Sequence, residues 1–264
     1  MKILYWNLHN NSNISKFIID CIKENDIDVF ICSEFKKVDL DSTVEALQGY
    51  CISKGLEICN KIRIIHKECL KINIIQEQER YLLATYKSAD KKYLITAVHL
   101  PANPYCKPLD RINVIQKIIS DIMEYEKENF EIGQHRTLVI GDMNASPFDQ
   151  EMISKTSFNS VLFRDLINKA SVIQYQGQFY ERFYNPIIDY IGDKNQAHGS
   201  FYYSSSVDAL YWYCYDQILL RKELIDSFLN FKYLKKIGSQ YLIKETKPND
   251  EISDHLPLLV EMNI

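Results

Sequence analysis

Short apolar runs that end on polar side chains recur along this chain, and they restrict the folds it can adopt. Each run has the length of a β-strand, and the residues at one of its two ends carry carboxylate, amide or imidazole groups. Because strand ends gather at common edges of a sheet, the pattern predicts that distant segments bring these groups together. The residues are Asn7, Glu34, His99, Asp142, Asn144, Asp216, Asp254 and His255.

The first third of the chain alternates between strand-like and helical patterns. Residues 2–6 and 27–32 are apolar runs, and between them apolar residues recur at helical spacing. This order is typical of a βαβ unit. Residues 50–93 contain several short β-prone runs separated by charged or glycine-containing turns, which predicts an antiparallel meander.

Strands and one long helix are predicted in the rest of the chain. Residues 93–100 form a strong strand pattern that closes on a proline, and residues 109–128 carry isoleucines at helical spacing. A buried strand at 137–140 is followed by a tight turn that contains Gly141. The remaining predicted elements are strands at 216–220 and 256–261 and a short helix at 185–191 that begins with Pro186.

The composition excludes several classes of protein. With 46% hydrophobic and 25% charged residues, the 264-residue chain is neither disordered nor a coiled coil. Its 31 Lys+Arg and 35 Asp+Glu give a net charge of -4, which excludes a generally basic surface for nucleic acid but leaves room for local basic patches. We find no internal repeat or linker, so the sequence predicts a single domain over residues 1–264.

The cysteines and the first residues predict a cytoplasmic protein. The seven cysteines are odd in number and are never spaced as CxxC, so we interpret them as reduced and mostly buried thiols. Asn7 and His9 interrupt the apolar run that a secretion signal would need. The longest apolar runs also fall far short of the roughly 20 residues of a membrane span.

Taken together, the polar strand ends are suited to hydrolysis of a phosphate ester. Each has an ordinary explanation alone, since Glu34 could be a solvated turn residue and Asp142 could begin an Asx turn. As a set, however, they include oxygen ligands that suit Mg²⁺ or Mn²⁺ and leave room for water and phosphate. A His255 ring held by Asp216 would be a general base or a phosphate-binding group.

The order of these motifs resembles the endonuclease/exonuclease/phosphatase superfamily over nearly the whole chain. The first-strand Asn of that superfamily is similar to Asn7 in YWN, and its metal-binding Glu is similar to Glu34 in ICSEF. Its GDxN element is similar to Asp142 and Asn144 in GDMN.

Further motifs extend the resemblance to the end of the chain. The SDH element is present at residues 253–255, and YDQILL places Asp216 like the family Asp that supports the catalytic His. VHLPAN places His99 like the histidine at the end of the central strand. The GDMN and SDH elements are each moderately specific, but their combination in this order is a strong signal.

The resemblance implies an α+β fold in which two mixed β-sheets pack face to face and helices cover the outer faces, a four-layer α/β/β/α sandwich. It implies a Mg²⁺ or Mn²⁺ cofactor held by Glu34, with Asp254 at or next to the metal. The resemblance does not decide whether His255 or Asp142 is the general base. The implied catalytic residues are His255, Asp216, Asp142, Asn144 and His99, and the implied substrate-binding residues are Asn7, Asn144 and His99.

The substrate is the least constrained part of the prediction. A tyrosine-rich segment at 201–215 is compatible with core packing or with a wall that stacks nucleobases. Four basic residues are weak candidates for phosphate contacts: Arg164, Arg182, Lys235 and Lys236. The early loop NLHNNSN differs from the NGLR-type loop of apurinic endonucleases, which makes a role in base-excision repair less expected.

The motif set and the aromatic segment together favour a metal-dependent phosphodiesterase, foremost a nuclease acting on DNA or RNA. The alternative is a phosphatase or phosphodiesterase for a small-molecule, nucleotide or lipid phosphate, which the acidic net charge favours. A third hypothesis, a catalytically silent binding module, explains less, because each expected catalytic position carries a competent side chain. The sequence leaves the identity of any protein partner open.

Overall fold

A computed structural model describes residues 1–102, 105–191, 196–204 and 209–264. The α-helices are α1 (Ser15–Asn25), α2 (Leu40–Glu45), α3 (Pro108–Asn129), α4 (Gln150–Ile153) and α5 (Arg164–Lys169), and 3₁₀ turns lie at Glu68–Leu70, Pro186–Asp189 and Lys222–Ser227. The strands are β1 (Lys2–Asn7), β2 (Val29–Ser33), β3 (Tyr50–Ile52), β4 (Ile62–Lys67), β5 (Asn73–Gln78), β6 (Tyr81–Ser88), β7 (Lys91–His99), β8 (Thr137–Asp142), β9 (Ser160–Val161), β10 (Val172–Tyr175), β11 (Gln178–Glu181), β12 (Phe183–Tyr184), β13 (Phe201–Tyr202), β14 (Trp212–Tyr213), β15 (Asp216–Leu220), β16 (Phe228–Tyr233), β17 (Lys236–Ile237), β18 (Gln240–Tyr241), β19 (Ile243–Lys244), β20 (Lys247–Pro248) and β21 (Leu258–Met262).

Two mixed sheets form the centre of the molecule. The first sheet has six strands in the order β16-β21-β1-β2-β4-β3, and the second has seven in the order β5-β6-β7-β8-β15-β12-β9. Strand β1 is parallel to β2, as expected for the predicted βαβ unit, and β7 is parallel to β8. The neighbours β1–β21 and β8–β15 are antiparallel.

Side-chain alternation along the strands produces four layers. In β8, Leu138 and Ile140 belong to a core shared with the first sheet, whereas Val139 faces a second core that contains α3. Helix α1 buries Ile18 and Cys21 in the core of the first sheet. The order of layers is therefore α3, second sheet, first sheet and α1, which is the predicted α/β/β/α arrangement.

The predicted meander over residues 50–93 is only partly correct. Residues 50–67 form β3 and β4 in the first sheet, whereas residues 73–99 form β5, β6 and β7 in the second. The chain passes between the sheets at the 3₁₀ turn Glu68–Leu70. Both halves contain antiparallel pairs with similar β-prone runs, so periodicity alone does not reveal the change of sheet.

Two smaller expectations are also adjusted. Strand β8 continues through Asp142, so this carboxylate belongs to the strand and does not follow it. Only Cys21, Cys32 and Cys59 are buried among the seven cysteines, all of which are free thiols. In the described residues, no helix is long and apolar enough to span a membrane.

Candidate functional site

Three neighbouring strands of the second sheet carry ionisable side chains at the same edge, where β7 and β8 end and the antiparallel β15 begins. His99 of β7 lies opposite Asp142 of β8, and Asp142 lies opposite Asp216 of β15. Along β8, Leu138 and Ile140 face the first sheet, and the two-residue period of a strand places Asp142 on the same inner face. These side chains therefore lie where the two sheets meet at one edge.

Asn7 joins this row from the first sheet. Its amide nitrogen lies 3.3 Å from Glu34 Oε1 and 3.3 Å from Asp142 Oδ2, and its amide oxygen accepts a hydrogen bond from the backbone of His9 at 3.0 Å. A neutral amide can bridge two carboxylates without adding a charge. Asn7 thus connects the two sheets at the site.

Glu34 stands at the mouth of the site directly after β2. Its backbone has a positive φ of 50°, and its side chain is 31% exposed. Oε1 lies 3.5 Å from His99 Nε2, and Asn10 donates to Oε2 at 3.2 Å. The contact with His99 lowers the pKa of Glu34 to about 2, so this carboxylate is ionised at neutral pH.

His255 and Asp216 form a buried pair. His255 Nδ1 lies 2.7 Å from Asp216 Oδ2, and the backbone carbonyl of His255 accepts a hydrogen bond from Trp6 Nε1 at 2.9 Å. Burial disfavours the charged ring, but the adjacent Asp216 carboxylate outweighs it and raises the pKa of His255 to about 10. This pairing leaves Nε2 as the ring nitrogen available to a substrate.

The SDH turn is tied to β1. Ser253 Oγ donates to the carbonyl of Asn7 at 2.7 Å and accepts from the backbone of His255 at 3.1 Å. Asp254 Oδ1 lies 3.1 Å from His9 Nδ1. Burial opposes ionisation of Asp254, but this contact with His9 outweighs it and lowers the pKa of Asp254.

Asp142 and Asn144 form an Asx-type turn. Asp142 Oδ1 accepts from the backbone of Asn144 at 2.9 Å, and the Asn144 amide donates to the carbonyl of Leu100 at 2.9 Å. Burial raises the pKa of Asp142, which makes its carboxylate a stronger proton acceptor than a solvated one. The side-chain nitrogen of Asn144 therefore binds the loop after β7. Together with the backbone contact to Asp142, this hydrogen bond fixes the position of Asp142 relative to His99.

Sheet pairing and side-chain contacts thus gather the predicted site residues at one sheet edge. The potential ligand atoms of Asp142, Asp216 and His255 lie within 4.8 Å of one another, and Asn7 connects Asp142 to Glu34. Asp254 belongs to the same turn as His255, and its carboxylate lies against the ring of His9. The arrangement combines ionised oxygen donors, a buried carboxylate and an imidazole oriented by a second carboxylate.

Glu34 offers the oxygens that best fit a divalent cation. Its contacts, at 3.2 to 3.5 Å, are long and come from Asn7, Asn10 and His99. Within the described ranges no lysine or arginine forms an ion pair with it. Carboxylate oxygen at a partly exposed position fits Mg²⁺, which takes few protein ligands and keeps several waters.

A second group of ligand-type side chains lies away from this edge. Glu126, His135 and Glu181 bring their ligand atoms within 4.8 Å of one another. Arg221 already supplies positive charge there, since its guanidinium donates to both oxygens of Glu126 at 3.0 Å. This group is therefore a buried ion-pair network.

Some residues at the site were not singled out in the sequence. Tyr5 is fully buried, and its hydroxyl lies 2.7 Å from Ser33 Oγ beneath the carboxylates. Burial and then the nearby Asp142 raise the pKa of Tyr5 well above its ordinary value. Strand alternation from Asn7 to Tyr5 is the signal that could have identified it. His9, by contrast, follows the strand in a loop, where no such periodicity applies.

Aromatic rings extend from His255 along one side of the site. Phe201 lies 4.8 Å from the His255 ring, between centroids, and stacks on Tyr215 at 5.4 Å. Tyr213 continues the row 5.1 Å from Tyr215, and Tyr203 is 57% exposed near it in a shared cleft. The rings are only partly buried, so part of their surface faces solvent and is not packed in the core. Residues 205–208 of this segment lie outside the described residues.

Two of the four basic residues suggested by the sequence are held by other contacts. Arg164 forms an ion pair with Asp226, and Arg182 donates to the carbonyl of Ala170 at 2.9 Å. Lys235 lines a different cleft, which contains Trp212. Arg164 and Arg182 are therefore poorer candidates for phosphate contacts than the site residues above.

Comparison with known proteins places this geometry in a known fold. No protein-family profile and no curated protein sequence matches the chain. Solved structures do match, among them D. rerio TDP2 complexed with single-strand DNA product, which is 16% identical with a TM-score of 0.58 over 100% of this chain and 99% of that one. An endonuclease/exonuclease/phosphatase family protein from Bacteroides thetaiotaomicron is 13% identical, with a TM-score of 0.62 over 99% and 97% of the two chains. A mannosyl-6-phosphatase from the same organism is 12% identical, with a TM-score of 0.62 over 99% of both chains.

These likenesses establish the fold. The chain has the endonuclease/exonuclease/phosphatase fold, as its motif order suggested, with the α/β/β/α sandwich described above. At such low identity the likeness does not transfer an activity, which has to be argued from the residues at the sheet edge.

Proposed function

We propose that this protein is a divalent-metal-dependent phosphodiesterase, foremost a nuclease that acts on DNA or RNA. The observation that carries the proposal is the convergence of the Asn7–Glu34–Asp142 bridge and the His255–Asp216 pair at one sheet edge. Phosphate ester hydrolysis needs charge neutralisation, an activated water and stabilisation of the leaving oxygen. Each requirement has a suitable side chain in this arrangement.

Glu34 and Asp254 would hold the cation, which the proposal takes to be Mg²⁺ or Mn²⁺. When bound, such an ion neutralises charge on a phosphoryl oxygen and makes a coordinated water more acidic. Glu34 is ionised and loosely contacted, and Asp254 is kept charged by His9. Asn7 orients Glu34 through its amide.

His255 binds the phosphate, and Asp142 accepts the proton of the attacking water. Asp216 holds the His255 ring in its charged form, so Nε2 donates a hydrogen bond to a phosphoryl oxygen. Asp142 is buried beside this position and has a raised pKa, which suits a general base. His99 lies 3.7 Å from Asp142, where its ring can contact the phosphate or the leaving oxygen.

The aromatic row favours a nucleic acid as the substrate. Phe201 lies between His255 and Tyr215 and stacks on Tyr215. Partly exposed rings beside a phosphate site stack on bases at roughly 1 to 3 kcal/mol for each base. Among the fold neighbours, D. rerio TDP2 was crystallised with single-strand DNA product, which supports the same substrate class. We also propose that residues 1–264 form one catalytic domain, since the likeness covers 99% of that neighbour.

A phosphatase acting on a small phosphorylated molecule is the second candidate. The net charge of -4 does not attract a polyanion over the whole surface, and one neighbour is a mannosyl-6-phosphatase. For either substrate we propose a cytoplasmic location. The free thiols, including the exposed Cys69, support a reducing compartment, which cell fractionation would test.

An activity panel separates the two candidates. Purified protein with Mg²⁺ would be given single-stranded DNA, single-stranded RNA, bis(p-nitrophenyl) phosphate and a sugar monophosphate. We expect hydrolysis of the diesters and a loss of about 100-fold or more in Asp142→Asn, because general base catalysis contributes at least that much. Asp121→Asn is the matched control, since Asp121 is an equally buried carboxylate on α3.

Hydrolysis of the monoester alone would favour the phosphatase. Absence of hydrolysis of every substrate, or equal rates in Asp142→Asn and the wild type, would contradict the proposed activity.

A further inference from the structure

A cleft of about 340 Å³ opens from the proposed catalytic site on the side away from the aromatic row. Glu34 and His99 line one part of it, so the cleft is continuous with the residues assigned to the cation and the phosphate. A substrate bound at the site therefore has space to extend in this direction.

Three basic side chains line the same cleft: Lys36, Lys61 and Arg80. Lys36 lies two residues after Glu34, and its backbone is held by Asn10 Oδ1 at 3.1 Å. None of the three was identified in the sequence as a phosphate contact. Their common feature is spatial, because they come from three separate loops.

Strand pairing explains why the three loops meet. Ser33 lies opposite Ile62 in the β2–β4 pair, so Lys61, just before Ile62, lies at the level of Glu34. Arg80 occupies the turn between β5 and β6, and its carbonyl accepts from the backbone of His99 at 2.9 Å. The sheet edge that carries the catalytic residues thus also anchors these cations.

Three basic side chains line the cleft against one carboxylate, that of Glu34. Neither Lys36 nor Lys61 forms an ion pair with any residue in the described ranges. Arg80 Nε lies 3.5 Å from Glu79 Oε1, but Glu79 is 68% exposed, and ion pairs in solvent contribute little. In a protein with net charge -4, three cations around one cleft form a distinct local patch.

An exposed ring completes the cleft. Tyr105 lines it and is 89% exposed, so its ring is open to solvent beside the basic side chains. Cations along a groove together with an exposed aromatic ring are the combination that binds single-stranded nucleic acid. A sugar monophosphate has no second phosphate for these three basic side chains to bind.

We propose that Lys36, Lys61 and Arg80 bind the phosphates that adjoin the cleaved one in a single-stranded nucleic acid, with Tyr105 stacking on a base. The inference rests on the proposed phosphodiesterase activity and specifies its substrate. The basic cleft supplies affinity for a strand and takes no part in the chemical step.

The test is equilibrium binding of a fluorescent single-stranded oligothymidylate, measured by anisotropy over a range of salt concentrations. All proteins carry Asp142→Asn, so that hydrolysis of the strand in Mg²⁺ is slow while the proposed phosphate contact of His255 is kept. Lys36→Ala with Lys61→Ala should weaken binding about tenfold or more, and the log–log salt slope should become less steep by about 1.4, because each phosphate that a lysine neutralises accounts for about 0.7 of that slope. The matched control is Lys87→Ala with Lys91→Ala, two exposed lysines at the opposite end of the β6–β7 hairpin, and it should bind like the parent.

A second measurement separates this inference from the proposed activity. With Asp142 intact, the Lys36/Lys61 double variant should hydrolyse bis(p-nitrophenyl) phosphate at the wild-type rate, because that diester has no adjoining phosphate. Binding equal to that of the control pair, or no binding by the parent, would overturn the basic-cleft assignment. Failure of the wild type to hydrolyse any diester would instead overturn the proposed activity.

Discussion

Asp216→Asn tests the electrostatics of the site, because it removes the charge that keeps His255 protonated and leaves the side-chain shape almost unchanged. In the wild type, His255 Nδ1 lies 2.7 Å from Asp216 Oδ2, and both side chains are almost fully buried. Without the carboxylate, burial would dominate and favour the neutral ring. We therefore expect the pKa of His255 to fall from about 10 to below the ordinary value of 6.5.

The size of this change follows from the raised pKa. The difference between about 10 and 6.5 corresponds to at most about 5 kcal/mol of preference for the charged ring, at about 1.4 kcal/mol for each tenfold change in affinity for the proton. Because the folded-state pKa of His255 lies above its ordinary value, this stabilisation is complete below about pH 6.5 and is lost as the pH rises towards 10. The free energy of unfolding of the wild type should fall by up to that amount across this range. Asp216→Asn should lack this fall.

NMR titration of the histidine ring carbons measures the pKa directly. The chain has six histidines, so the His255 signal is assigned as the one missing from His255→Ala. Asp121→Asn serves as the control, because it removes a buried carboxylate on α3 and should leave the His255 titration unchanged. A wild-type His255 that titrates near 6.5, or one that Asp216→Asn leaves unaltered, would refute the reasoning.

Two further substitutions test the framework around the site. Gly141→Ala should destabilise the fold by about 2 kcal/mol or more and displace the adjacent Asp142, because an added Cβ would lie 1.9 Å from the carbonyl oxygen of Val98. Urea unfolding measures the loss of stability, and a variant as stable as the wild type would contradict this prediction. Arg221→Ala should cost about 3 to 5 kcal/mol, since it leaves the buried Glu126 carboxylate without its partner. A thermal melt of Arg221→Ala that matches the wild type would show that this pair does not stabilise the fold.

The catalytic edge was accessible to sequence reasoning because strand periodicity fixes the direction of side chains. Asp142 shares the parity of Leu138 and Ile140, so the alternation that buries those two also directs the carboxylate towards the other sheet. The same regularity applies to Asn7 and Asp216 at the ends of β1 and β15. Polar residues at the ends of apolar strands therefore carried most of the information.

Helix α3 shows where apolar periodicity misleads. The spacing of isoleucines predicted its position, but the apolar Met123, which follows the buried Ile122, is 40% exposed. By contrast, the helix buries three charged side chains, those of Arg111, Asp121 and Glu126. Each is paired with a residue distant in sequence, as Arg111 Nη1 is with Glu151 at 2.7 Å, and such pairing is invisible to a local pattern.

Loop residues were the hardest to predict. His9, which lies against Asp254, and the lysines of the basic cleft belong to loops without a repeating pattern. Their positions depend on which strands pair, and the sequence did not show that the chain changes sheets after β4. The site residues on strands could therefore be predicted from the sequence, whereas those on loops could not.

Dependence of the hydrolysis rate on Mg²⁺ is the most direct test of the site assembled around Glu34. Wild-type protein stripped with a chelator should be inactive on bis(p-nitrophenyl) phosphate and recover as Mg²⁺ is added back. Glu34→Gln should fold normally but need at least about 10-fold more Mg²⁺, the smallest loss typical even of an outer-shell partner, or fail to recover. Glu124→Gln, an exposed change on α3, should follow the wild type. A chelated wild type that keeps its full rate, or a Glu34→Gln protein with the wild-type Mg²⁺ response, would contradict the account.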